Sequence, residues 1–150
     1  MTYQIMYSSQ AAAPMTAIGL EEILTDARAG NEARNVTGAL VYVDGVFFQI
    51  IEGDKDVVRD LMTSIARDSR HHSVTVFYEA EVEARAFESW SMAYLCPTAE
   101  QMSTWAGLSG TATVHELLAE VNRNPRRVPQ ILVNALTALA ERGPRAAPGQ

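Results

Sequence analysis

Val36-Thr37-Gly38-Ala39-Leu40-Val41-Tyr42-Val43-Asp44-Gly45-Val46-Phe47-Phe48-Gln49-Ile50-Ile51-Glu52-Gly53 is the stretch that decides the fold of this 150-residue chain. Residues 36–43 and 46–52 are two β-rich runs, and Asp44-Gly45 lies between them. A two-residue hairpin turn needs φ > 0 at both central positions, which Asp-Gly supplies at little cost. Alternation along the second run puts Phe47, Gln49 and Ile51 on one face and Phe48 and Ile50 on the other. Gln49 is then a lone amide in an apolar strand. Burying it without partners would cost about 1–3 kcal/mol. It is either an outward-facing polar group or, if the strand is central with both faces covered, a buried group with a task.

The flanks fill in around the hairpin. Residues 3–8 read as a short strand and residues 10–15 as a loop, with Thr16 placed to cap a helix. Ile18, Ile23, Leu24 and Ala27 follow close to helical spacing, and Gly30 is a natural stop. Asp54 reads as the N-cap of a second helix carrying Val57, Val58, Leu61, Met62 and Ile65 on one face. Residues 73–82 and 90–95 read as two further strands. The order β-α-β-β-α-β-β predicts an α+β, ferredoxin-like sheet with two helices on one face and a groove between them. Tyr7, on the first strand, would pair across to Gln49 on the third. Such a fold hosts many functions and does not by itself name a ligand.

After Pro97 the character changes. Residues 98–106, 113–122 and 130–141 read as helices, with Val114, Leu117, Leu118 and Val121 on one face of the second. The expected division is a sensor domain over 1–96, a helical cap, oligomerisation or output segment over 97–142, and a disordered Pro/Gly/Ala-rich tail over 143–150. The cap is expected on the open sheet face or on a second subunit.

Composition narrows the functional classes. A net charge of −6 argues against nucleic acid, which demands clustered Lys and Arg. The one basic spot, Arg123 with Arg126-Arg127, reads as a solvated turn. A single cysteine, Cys96, excludes an intrachain disulfide framework and fits a reducing compartment. The N-terminus has no signal-peptide pattern, and no apolar run approaches the roughly 20 residues that span a bilayer. The expected location is cytoplasmic, with no membrane partner. His71, His72 and Cys96 do not repeat a metal-ligand spacing. There is no Gly-rich phosphate loop and no nucleophile-base pattern.

Taken together, Tyr7-Ser8-Ser9, Asn31, Asn35-Val36-Thr37-Gly38, the Gly45–Gly53 run, Asp68-Ser69-Arg70-His71 and Trp90-Ser91-Met92 resemble the signature of the BLUF family, blue-light sensors that use a flavin. The resemblance covers about residues 3–95. It implies FAD, with FMN as the other candidate, held noncovalently between the two helices. Asn31 would read the C4=O/N3 edge of the ring, where turn preferences alone make it a helix C-cap or turn residue. Asp68, Arg70 and His71 would lie near the flavin and its ribityl or phosphate side, where otherwise basic residues at a helix C-terminus merely complement its dipole. Ile23 would line the site, and Gln49 would bind the ring as well as react.

The resemblance further implies that light drives electron and proton transfer from Tyr7 by way of Gln49, leaving Gln49 rotated or tautomerised with its donor on C4=O. The absorption would shift slightly to the red without net chemistry, so the chain would be a switch and not an enzyme. Trp90 and Met92, on alternate positions of the last strand, would pass the change onward to a downstream signalling protein. A homodimer or larger homo-oligomer is expected from the apolar C-terminal helices. Gly30 stands where many relatives carry Asn, and Ala27 where many carry Ser; both bear on flavin binding and dark recovery. Two other readings remain at this stage: a ferredoxin-like interaction or small-ligand module without flavin, and a flavin-dependent enzyme, for which no second substrate pocket is evident.

Overall fold

The computed structural model describes residues 1–107 and 113–141. The expected tail over 143–150 lies outside them. Five strands form one sheet in the order β4-β1-β3-β2-β5. They are β1 (Thr2–Ala11), β2 (Thr37–Val43), β3 (Val46–Gly53), β4 (His71–Val82) and β5 (Ala93–Leu95). β1 pairs antiparallel with both β3 and β4, β2 pairs antiparallel with β3, and β5 runs parallel to β2. β3 is the central strand and all eight of its residues are buried. The hairpin turn falls where expected, with Asp44 at φ 46° and Gly45 at φ 79°.

Helices α1 (Ala17–Arg34) and α2 (Lys55–Ala66) pack on one face of the sheet. There Leu24, Val58 and Met62 meet Tyr3, Ile5, Tyr7, Leu40, Phe47 and Ile51. The other face is covered by α3 (Ala99–Trp105), α4 (Val114–Arg123) and α5 (Val128–Glu141), with a 3-10 turn over Pro125–Arg127. Met102, Leu117 and Leu132 lie there against Met6, Val41, Phe48, Ile50 and Leu95. The described apolar side chains of α4 and α5 are thus used largely within the chain. Capping boxes start α3 (Thr98 with Gln101) and α4 (Thr113 with Glu116), and each such cap contributes about 1 kcal/mol.

Several element ends depart from the sequence reading. β1 runs from Thr2 to Ala11, not 3–8, because its outer residues find partners on both β3 and β4. α1 does not stop at Gly30. It continues to Arg34 and ends on Asn35 at φ 55°, whose backbone N–H reaches back to the carbonyls of Asn31 and Glu32. Asparagine tolerates the left-handed conformation, so the stop signal was five residues further on. Asn31 is therefore an interior helix residue and neither a cap nor a turn. α2 ends at Ala66, so Asp68–His71 forms a turn and the first residue of β4, not the helix end. Asp54 occupies the N-cap position of α2 but its side chain makes no capping bond. The last strand begins at Ala93, so Trp90 and Met92 lie in the irregular segment before it.

One glycine is sterically fixed. A Cβ at Gly38 would lie 2.0 Å from the Ile50 carbonyl oxygen of β3. Gly38→Ala is therefore expected to destabilise the fold by about 1–3 kcal/mol, the usual cost of forcing extra volume into a packed interior. Urea unfolding measures this, and a midpoint equal to that of the parent chain would refute the close approach.

Candidate functional site

A cleft of about 200 Å³ opens between α1 and α2 over the middle of the sheet. Ile23, Leu40, Phe47, Leu61 and Ile65 give it apolar walls, and Tyr7 and Gln49 lie at its floor. Asn31 lines it from α1, and Asp68, Arg70 and His71 from the turn into β4. Seven of the residues singled out from sequence are therefore brought together: Tyr7, Ile23, Asn31, Gln49, Asp68, Arg70 and His71. Met92 touches this group from the side, and Trp90 does not join it.

Strand register makes the central contact. Tyr7 of β1 sits directly opposite Gln49 of β3, and both side chains are buried. The Tyr7 hydroxyl donates a hydrogen bond to Gln49 Oε1. Gln49 Nε2 donates to Met92 Sδ at 3.5 Å. A thioether is a weak acceptor, so the donor end of the amide has the poorer of its two partners. Burial raises the Tyr7 phenol above its ordinary value of 10.0, and the negative charge of Asp68 adds to the effect.

Asn31 Nδ2 donates to the Ser91 carbonyl at 2.7 Å. Its Oδ1 has no protein hydrogen-bond partner among the described residues, which leaves an acceptor at the cleft wall. His71 is fixed at both nitrogens: Nδ1 lies 2.7 Å from Ser9 Oγ and Nε2 2.6 Å from the Ile65 carbonyl. Since a carbonyl only accepts, Nε2 carries the proton in the neutral ring and Nδ1 accepts from Ser9. The ring stands edge-on to Tyr7, with centroids 6.1 Å apart.

At the mouth, Asp68 accepts from Arg70 Nε at 3.0 Å and from Nη2 at 2.5 Å. The Arg70 guanidinium holds the Asp68 carboxyl below its ordinary range. Arg70 also reaches Asp26 of α1 at 3.4 Å. Both side chains are substantially exposed, so this bridge across the cleft is weak and screened. Arg34 lines the same rim from the end of α1.

Trp90 is 36% exposed and stacks edge-on against Phe87 at 6.4 Å. The expectation that Trp90 and Met92 share a strand face does not hold, because the chain before β5 is irregular and sends the two side chains to different environments. Met92 is the one that meets Gln49.

Several participating residues have no individual role in the sequence reading. Ser9 shares the parity of Tyr7 on β1, and Arg28 lies one turn before Asn31 with its Nε on the Met92 carbonyl at 3.0 Å. Glu52, a charge inside an all-buried strand, was visible as an anomaly and not used. Among the described residues no group of acidic, His and Cys side chains could hold a metal ion. No described helix is long and apolar enough to cross a membrane.

A cleft with apolar walls, carboxamides at its floor and wall, and Arg34 and Arg70 beside Asp26 and Asp68 at its rim suits an aromatic ligand with a polar edge. The family comparison agrees: a model described as "Sensors of blue-light using FAD" matches residues 2–93. The chain belongs to the BLUF family, and it is a flavin-binding blue-light sensor. It is 34% identical over 134 residues to the photoactivated adenylate cyclase subunit alpha of Euglena gracilis. That match covers 89% of this chain and 13% of the relative. The chain thus spans about an eighth of the length of that cyclase. Among solved structures, the BlsA ground state superposes with TM-score 0.70 at 26% identity, covering 86% of this chain and 88% of that one. The dark state of BlrB, a BLUF protein, superposes with TM-score 0.70 at 20% identity, covering 89% and 96%, a likeness of fold. A ferredoxin-like module without flavin is not the favoured reading.

The raised Tyr7 phenol has a checkable consequence. A folded-state value above the unfolded one gives stability that is whole below pH 10 and is lost as pH rises toward the folded value. Tyr7→Phe is therefore expected to leave the reversible phenolate absorbance below the alkaline unfolding transition unchanged. A smaller amplitude in the variant would show that Tyr7 titrates in the folded protein.

Proposed function

We propose that Tyr7 and Gln49 form the photoactive pair of this sensor, and that the segment before β5 carries the response to a partner protein. The observation that supports this most directly is the Gln49 amide, held by a phenol at its oxygen and only by the Met92 thioether at its nitrogen. When bound, a flavin would supply light absorption and an excited state able to draw an electron. Tyr7 is an oxidisable group at the cleft floor, and its phenolic O–H already points at Gln49 Oε1. Departure of that proton by way of the Gln49 amide, together with the electron, and the return of both to Tyr7 would let the amide settle rotated or tautomerised, with its donor facing the cleft and Met92 released. Exchanging an N–H···S contact for an N–H···O bond is worth about 1 kcal/mol, enough to bias a balanced element and no more.

Asn31, with its unpartnered Oδ1, would hold the ring edge, and Ile23 would pack on its apolar side. Asp68, Arg70 and His71 would fix the ring and tail at the rim. FAD is the form favoured by the family's description, with FMN the alternative; chromatography of the flavin released on denaturation separates them. No net reaction is assigned to this segment. The output would pass through Met92, Trp90 and the C-terminal helices to a downstream effector. Self-association into a homodimer or larger ring is retained in this reading. It would use surfaces other than the apolar faces of α4 and α5, which the sheet already covers. Sedimentation in dark and light measures it, and a monomer in both removes it.

An absorption spectrum before and after blue light is the primary test. The flavin band is expected to move slightly to the red and to return in darkness. Gln49→Leu is expected to bind flavin and lose the shift. A shift retained in that variant would refute the role of Gln49, and a protein that takes up no flavin would refute the site.

A further inference from the structure

Glu52 is the most deeply buried ionisable side chain described in the molecule, and no role has been given to it so far. Its relative exposure is 0%. Its carboxylate accepts four hydrogen bonds. Oε1 takes Gln4 Nε2 at 3.2 Å and the Ala86 amide at 3.0 Å. Oε2 takes the Thr37 hydroxyl at 3.0 Å and the Phe87 amide at 2.7 Å. Gln4 and Thr37 are its cross-strand neighbours on β1 and β2. The other two donors are consecutive backbone amides at the start of the segment that leads to β5.

That segment is pinned at its far end too. The carbonyls of Trp90, Ser91 and Met92 accept from Gly38 N at 3.2 Å, Asn31 Nδ2 at 2.7 Å and Arg28 Nε at 3.0 Å. Between the pins it passes from one side of the sheet to the other. Phe87 is buried against the core of α3–α5, and Met92 in the core under α1 and α2. β3 serves both sides. Gln49 projects to the cleft and touches Met92, while Glu52, of opposite parity, projects to the other face and holds Ala86 and Phe87.

We propose that Glu52 is a positioning residue for the photoresponse: it anchors the Ala86–Met92 segment so that displacement of Met92 by Gln49 works against a fixed point and is passed to Phe87 and Trp90. This rests on the Tyr7–Gln49 reading above. A carboxylate suits the task because only acceptors face the four donors. An amide in its place would set an NH2 group against at least one of them. A segment held at both ends resists exchange between two Met92 placements, so freeing one end lowers the barrier between them.

The test uses the full chain with bound flavin. Glu52→Gln is expected to keep the flavin stoichiometry and the red shift, and to speed dark recovery about fivefold, the rate equivalent of one net hydrogen bond. Met92→Leu should alter recovery in the parent chain and add nothing in the Glu52→Gln background, because the two act on one element. Recovery unchanged in Glu52→Gln, or effects that simply multiply, would overturn the proposal. Should Glu52→Gln not fold, Thr37→Val removes one donor and leaves the segment's amides in place. It is expected to move recovery in the same direction by less, and unchanged recovery there would also overturn the proposal. Hydrogen exchange of the Ala86 and Phe87 amides separates this from failure of the photochemistry. If the parent chain shows no red shift, the Tyr7–Gln49 reading fails. Fast exchange of those amides in the parent chain overturns the anchor by itself.

Discussion

The pairing of β1 with β3 is the constraint on which the rest of the molecule depends. A one-residue slip would turn every side chain of β1 to the opposite face, taking Tyr7 from the cleft and Gln4 from Glu52 together. The register is held on both sides: Ile5 and Ile51 lie under the two cleft helices, while Met6 and Ile50 lie under α3–α5. Burial on both faces penalises any slip twice. The sheet's mechanical definition and the placement of the phenol opposite the amide therefore have the same origin, the alternation of apolar residues along two adjacent strands.

Because both faces of β3 are covered, its two polar residues must be satisfied from within. They are satisfied in different ways. Glu52 takes four conventional donors and is saturated. Gln49 has one conventional hydrogen bond from Tyr7 and one weak contact with sulfur. A buried polar group that is fully met fixes its surroundings, whereas one met partly by a soft, adaptable thioether can change partners. The contrast within a single strand separates what is stationary from what is free to move.

Much of this architecture was legible in the sequence, and what was missed follows a pattern. The hairpin was plain because Asp44-Gly45 meets a strict backbone requirement. The two-sided alternation of Phe47 to Ile51 was plain because period two admits no compromise. The extent of α1 is misread because Gly30 and Asn35 carry the same kind of stop signal, and it is Asn35 that takes the left-handed cap. Trp90 and Met92 were placed on a strand because aromatic and apolar residues at alternate positions look like one. The hydrogen bonds that shape residues 86–92 come from Gly38, Asn31, Arg28 and Glu52, all distant in sequence. Local pattern cannot register contacts of that kind. Within the site, the residues of the cleft were identifiable as a family constellation, while their bonding, above all the Met92 contact, needed the fold.

The energetics favour a modest signal delivered to a well-held structure. The proposed change of one hydrogen-bond partner at Gln49 would offer about 1 kcal/mol, and a two-state element responds only to the differential free energy it receives. A loose loop would absorb that amount as disorder. A segment whose backbone is hydrogen-bonded at both ends has few soft coordinates, so under the proposed mechanism a displacement at Met92 would be shared with its neighbours and not dissipated. The same segment reaches the core of α3–α5 through Phe87 and the surface through the partly exposed Trp90. The route from cleft to exterior is therefore short and continuous in covalent structure, and it needs no large rearrangement of the sheet that defines the site.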